Sequence, residues 1–147
     1  MYDSILVATD GSGLSRKAVD SAIELAASLA AELFILHVVP RYPTAFFEGG
    51  VALEADEVAR VERQWAEQGR AVVNEEAARA EQAGVTARAM VVTSDEVADS
   101  ILAAARKHGC GLVVMASHGR RGLQRVLLGS ETQHVLTHST IPVLVLR

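Results

Sequence analysis

Several features that would assign this chain to a specialised class are missing from it. Only one cysteine, Cys110, occurs in 147 residues, so no intrachain disulfide can form and a reducing compartment suits the protein. No apolar run approaches the ~18 residues needed to cross a bilayer, so membrane insertion is not expected. The opening Met1-Tyr2-Asp3-Ser4 lacks the basic stretch of a secretory signal and leads straight into Ile5-Leu6-Val7-Ala8, which makes a cytoplasmic location the expectation. There is no excess of positive charge: the formal net charge is -4, which argues against nonspecific nucleic-acid binding. No internal repeat, low-complexity tract or interdomain linker divides the chain, so residues 1–147 are expected to form one domain.

The common catalytic and nucleotide signatures are missing too. No G-x-x-x-x-G-K-[ST] occurs, which excludes a P-loop. Gly11-x-Gly13 is followed by Arg16 where a dinucleotide fingerprint needs its third glycine. No G-x-S-x-G elbow is present. His108, Cys110 and His118 are metal ligands by type, yet their spacing fits no zinc pattern. His37 lies inside a strand pattern and reads as a core or pocket-lining group. His134 and His138 fall on the last helix and read as surface groups.

What is present is a strand–helix alternation. Half the residues are hydrophobic and 22% are charged, the balance of a globular chain. Short apolar runs predict strands at Ile5–Thr9, Leu33–Val39, Val85–Val92, Leu112–Met115 and Ile141–Leu146. Arg88 is expected at a sheet edge or on an exposed position. Helical spacing covers Ser15–Ala31, with Ala18, Ala22, Leu25 and Leu29 on one face. Arg41–Gly50 reads as a loop. Helix propensity is high over Ala52–Gln82, where Gly69 reads as a kink or a break and Gly84 as the terminator. Further helices begin at Ser94-Asp95-Glu96 and span Ser130–His138. This order predicts an α/β fold: an open, mostly parallel five-stranded sheet with helices on both faces. Ligands in such folds sit beyond the strand C-termini, at a topological switch point. Asp10, Val38 and the loop after Met115 all lie at or just past strand ends.

The region from Leu112 onward carries the strongest functional signal. A buried-type strand runs into a loop of small residues with Ser117, Gly119 and Gly122, and Gly129-Ser130 precedes a helical pattern. Glycine lets a phosphate approach the backbone, and N–H groups at a helix start point at the anion. A tight structural loop with an ordinary serine cap would look similar, but the α/β order favours a phosphate site. Asp10 has two readings, an Asx-turn before the first helix or an acceptor for a ribose hydroxyl or adenine amino group. Arg120, Arg121 and Arg125 are either a solvated loop or a charge complement to phosphates. Glu131 would repel a triphosphate beside it unless a divalent cation intervenes or its side chain turns away.

These segments together resemble the universal stress protein family. The resemblance covers the whole length and rests on Ile5-Leu6-Val7-Ala8-Thr9-Asp10-Gly11-Ser12, Leu36-His37-Val38, Val113 to Arg120, Leu127-Leu128-Gly129-Ser130 and Pro142-Val143-Leu144-Val145. The ATP-binding branch of that family has the pattern G-x2-G-x9-G-[ST]. Gly119 and Gly129-Ser130 match its second and third glycines with nine residues between them, and Ala116 stands at the first. The non-binding branch lacks this glycine loop. The resemblance implies a Rossmann-like fold of the adenine nucleotide alpha-hydrolase type. It implies an adenosine site lined by Ala8, Thr9, Asp10 and Val38. The phosphates would be surrounded by Met115, Ala116, Gly119, Gly129, Ser130 and Thr132. Gly122 would only shape the spacer.

It also implies a homodimer paired through Ile141–Leu146, which fits an apolar terminal strand whose open edge would invite aggregation. The function so implied is a stress-response regulatory dimer. It would bind ATP, AMP or ADP, with Mg2+ as an optional companion, and act on a protein partner that the sequence does not name. A slow ATPase or phosphotransferase is the first alternative. It ranks second because no residue stands out as a base. A dimeric interaction module that binds no nucleotide is the other.

Overall fold

The computed structural model describes residues 1–43, 54–119 and 128–147. Gly122, the Arg120, Arg121 and Arg125 cluster and most of the Arg41–Gly50 loop lie outside them. The elements run β1 (Ser4–Ala8), α1 (Gly13–Leu29), β2 (Glu32–Val39), α2 (Ala55–Gln82), β3 (Ala87–Thr93), α3 (Val97–Lys107), β4 (Leu112–Ala116), α4 (Ser130–His138) and β5 (Val143–Leu146). The five strands form one sheet in the order β3-β2-β1-β4-β5, and every pairing is parallel. The predicted alternation is borne out, and the sheet is fully parallel where the sequence required only mostly so.

Alternation along each strand divides the core in two. Ile5, Val7, Leu33, Ile35, Leu112 and Val114 pack with Ala18, Val19, Ala22 and Ala26 of α1 and Val73 and Ala80 of α2. Leu6, Phe34, Leu36, Val113 and Met115 face the other way, against Ala98, Ile101, Leu102 and Ala105 of α3 and Val135 of α4. Strands buried on both faces are expected to read as continuous apolar runs, as these do. β3 and β5 are the two edges. Arg88 on β3 is exposed and its Nε donates to Glu32 Oε1 at 2.6 Å.

Helix ends differ from expectation by a few residues, for local reasons. α1 starts at Gly13 because Ser12 is its N-cap: the Ser12 hydroxyl accepts the Ser15 N–H. It stops at Leu29 because Ala30 turns left-handed at φ 54° and its N–H returns to the Ala26 carbonyl. Gly84, at φ 79°, ends the turn after α2 as the sequence predicts.

Gly69 does not break α2, which is one continuous helix. A Cβ there would stand 2.9 Å from Val39 Cγ2 and 3.6 Å from His37 Nδ1. The glycine is present because α2 lies tight against β2. Farther along, Arg79 of α2 joins Asp20 of α1 and the buried Glu76 of its own helix, locking the two helices of this face together. Replacing Gly69 with leucine should lower stability by about 1–3 kcal/mol in urea unfolding, the usual cost of overpacking. An unchanged midpoint would mean that α2 can lift off β2 at no cost.

Candidate functional site

The strand order reverses direction between β1 and β4. From β1 the chain moves through α1 to β2 and β3 on one side, and from β3 it returns through α3 to β4 on the other. The loops leaving β1 and β4 therefore part toward opposite faces and leave a crevice at their shared end. Val7 sits opposite Val114, so Ala8, the last residue of β1, lies beside Met115, the last but one of β4.

The β1 side of the crevice is held by hydroxyls. Thr9 donates its N–H to the Leu36 carbonyl at 2.9 Å, and its buried hydroxyl bonds that of Ser15 at 3.0 Å. Gly11, at φ 79°, donates to Thr9 Oγ1 at 3.2 Å. Ser15 Oγ also accepts from the Asp10 N–H at 3.4 Å and donates to the Ser12 carbonyl at 2.9 Å. Asp10 Oδ1 accepts the Ser12 N–H at 2.9 Å, the Asx-turn expected of it. Its other oxygen reaches across the crevice: a Cβ on Gly119 would lie 2.8 Å from Asp10 Oδ2. The turn and the approach to the glycine loop thus coexist in one side chain.

The β4 side is tied to neighbouring backbone. Ala116 closes the strand in extended conformation, so the position where the family pattern has glycine needs no positive φ here. Ser117 donates its N–H to the Leu146 carbonyl at 2.7 Å, and Gly129 donates to the Ser117 carbonyl at 2.7 Å. A Cβ on Gly129 would meet the His118 Cα at 3.3 Å and the Ser117 carbonyl at 3.4 Å. A side chain at position 119 would displace the Asp10 carboxylate, and one at position 129 would press on the backbone of residues 117 and 118. Thr132 is buried, and its hydroxyl donates to the Ala116 carbonyl at 2.9 Å, so its side chain braces the loop.

Gly129, not Ser130, is the N-cap of α4, and as a glycine it makes no side-chain capping bond. Ser130 is the exposed first residue of the helix. An uncapped helix start presents N–H groups that an anion can satisfy. Glu131 turns away from it, and its Oε2 accepts the Ala98 N–H at 2.9 Å. On the α3/α4 face, Ala8, Val38 and Met115 share one apolar cluster, so the nonpolar candidates gather at the strand ends. Together these features can seat a flat apolar group against the strand ends and an anion over the start of α4.

Other sequence candidates find separate uses. His108 stacks on Phe34 with centroids 4.7 Å apart. His118 Nδ1 lies 3.2 Å from Ser117 Oγ. His134 Nε2 lies 3.0 Å from Asp99 Oδ1, and its ring stacks on His138 at 4.2 Å. Among the described residues no group of three or more His, Cys, Asp or Glu could hold a metal ion. Sequence reasoning missed Ser15 as the hub beneath Asp10. The available signal was its place on the buried stripe with Ala18, Val19 and Ala22.

The sequence model of the universal stress protein family matches residues 1–147. This chain belongs to the universal stress protein family. Universal stress protein YxiE of Bacillus subtilis is 34% identical over 149 residues that span 100% of both chains. Among solved structures, MJ0577 of Methanocaldococcus jannaschii superposes with a TM-score of 0.84 at 25% identity, over 99% of this chain and 96% of that one. A universal stress protein in complex with cAMP superposes at 0.72 with 27% identity, over 99% and 97% of the two chains.

Cys110 takes no part in the crevice. It is buried below the α3 C-terminus, and burial, with Glu32 adding to it, raises its thiol pKa from the usual 9.0 to about 11. The unfolded thiol ionises first, so as pH rises from about 9 toward 11 the unfolded state holds fewer protons and stability falls. At pH 8 the native thiolate fraction is about a hundredfold below that of the unfolded chain. Iodoacetamide should therefore alkylate native protein at least that much more slowly than protein in urea. Equal rates would mean that the thiol is accessible.

Proposed function

We propose that the crevice between β1 and β4 binds an adenine nucleotide and that the protein works as a ligand-responsive regulatory dimer in the stress response. The adenosine moiety would lie against Ala8, Thr9, Asp10 and Val38. The phosphates would lie over Met115, Ala116, Gly119, Gly129 and Ser130, facing the N–H groups at the start of α4. Thr132 would contribute by holding Ala116. The observation that supports this reading most is the meeting of Asp10 with Gly119 beside a helix start whose N-cap residue is a glycine. The related protein in complex with cAMP supports the ligand class. ATP, AMP and ADP, with or without Mg2+, are the ligands proposed. Their natural partner protein is left open, and a cytoplasmic location goes with this role. No helix among the described residues is long and apolar enough to cross a membrane.

Titration calorimetry with AMP, ADP and ATP tests the reading, together with identification of any nucleotide released on denaturation. Gly129→Val should weaken ATP binding by about tenfold or more, because branched carbons would occupy the phosphate approach and deny it charged hydrogen bonds. Binding as tight as the parent's would move the phosphates elsewhere. Recovery of ADP from protein loaded with ATP would favour the hydrolase alternative.

The dimer would form along β5, an edge strand on which Leu144 is 40% exposed. An unpaired apolar edge is a liability that two-fold pairing removes. Leu144→Lys should convert the dimer to a monomer in sedimentation velocity, and a variant that still sediments as a dimer would place the interface elsewhere.

A further inference from the structure

Polar groups converge on one buried hydroxyl, that of Ser15 in the first turn of α1. The Ser12 carbonyl lies 2.9 Å from its Oγ, the Thr9 hydroxyl 3.0 Å, the Ser12 hydroxyl 3.2 Å and the Asp10 nitrogen 3.4 Å. A hydroxyl has one proton and two lone pairs. A carbonyl only accepts, so the Ser15 proton goes to the Ser12 carbonyl. The Thr9 hydroxyl must then donate to Ser15, and Thr9 Oγ1 in turn accepts the Gly11 N–H at 3.2 Å. The donors therefore run in one direction, from the Gly11 N–H through Thr9 and Ser15 to the Ser12 carbonyl. This chain encloses the whole turn from Thr9 to Ser12, with Gly11 left-handed at φ 79° inside it.

The Asp10 carboxylate hangs on that turn. Its own N–H is held by Ser15, and its Oδ1 accepts the N–H of Ser12, whose carbonyl Ser15 also holds. With those points set, Oδ2 stands against Gly119 on the far wall of the crevice. Take the Ser15 hydroxyl away, and the buried Thr9 hydroxyl loses its acceptor. A buried hydroxyl without an acceptor is costly, so the turn would shift to find one and carry Asp10 with it. We propose that Ser15 is a positioning residue of the crevice. At 3% exposure it is too buried to touch a ligand. It acts through Asp10, setting the affinity for a ligand whose adenosine moiety donates a hydrogen bond to that carboxylate. Such bonds are directional and weaken steeply when misaligned. This rests on the nucleotide reading above.

The test is a double-mutant cycle read by titration calorimetry with AMP. Ser15→Ala, Asp10→Ala and the double variant are compared with the parent at a temperature where each is fully native by circular dichroism. Ser15→Ala should weaken AMP by about two- to tenfold, and Asp10→Ala by about ten- to a hundredfold. The double variant should match Asp10→Ala within about twofold, because Ser15 then has nothing left to position. A Ser15 that only stabilises the fold would lower the melting temperature and leave no such coupling. Ser15→Cys, close in size but a weak donor and acceptor, carries the same expectation should the alanine variant not fold. Losses that multiply in the double variant overturn the proposal. So does parental affinity in either the Ser15 variant or Asp10→Ala. If the parent binds no adenine nucleotide, the nucleotide reading fails and this proposal with it. If the parent binds AMP and Asp10→Ala weakens it while Ser15→Ala does not, only the positioning role fails.

Discussion

The pairing of β1 with β4 is the constraint on which the rest of the structure depends. Ile5, Leu6 and Val7 lie opposite Leu112, Val113 and Val114, and all six are buried. These strands are far apart in sequence, so their contact fixes where the chain reverses its direction of travel across the sheet. It also brings Asp10 within touching distance of Gly119. Without that pairing, the hydroxyl network under Asp10 and the braced loop after Ala116 would be unrelated local turns.

The crevice combines rigid parts with an open end. Ser15 gathers Thr9, Asp10 and Ser12 beneath one wall. Thr132, Ser117 and Gly129 stitch the other wall through three backbone acceptors. Buried polar groups are costly unless satisfied, and satisfied networks hold a single geometry. Against this, the N-cap of α4 is a glycine, and the acid in its first turn serves a different helix.

Most of the architecture could be read from the sequence because buried parallel strands are short apolar runs and α/β order is periodic. Val113 and Val114 are buried wherever they pair, so their strand needs no knowledge of neighbours. The less legible residues are those that answer to a distant partner. Gly69 resembles a helix breaker until the side chain of Val39 is seen against it. Glu131 resembles a dipole partner for its own helix, and its bond to Ala98 depends on how α3 and α4 pack. Thr132 carries a hydroxyl suited to phosphate, and only the position of the Ala116 carbonyl shows that the hydroxyl is engaged. Asp10 admits two readings in the sequence, and its two oxygens face a turn and a loop respectively.

Because every strand runs the same way, the two ends of the chain lie at opposite rims of the sheet. Tyr2 packs with the core at the rim where the strands begin. Leu146 ends β5 at the rim where they finish, and its carbonyl holds the Ser117 N–H at the foot of the glycine loop. A polypeptide joined after Arg147 would emerge beside the mouth of the crevice, and one joined before Met1 would emerge on the far side. A fluorophore or affinity handle attached at the C-terminal end would therefore sense or obstruct the loop, whereas the same handle at the N-terminal end would leave it unencumbered.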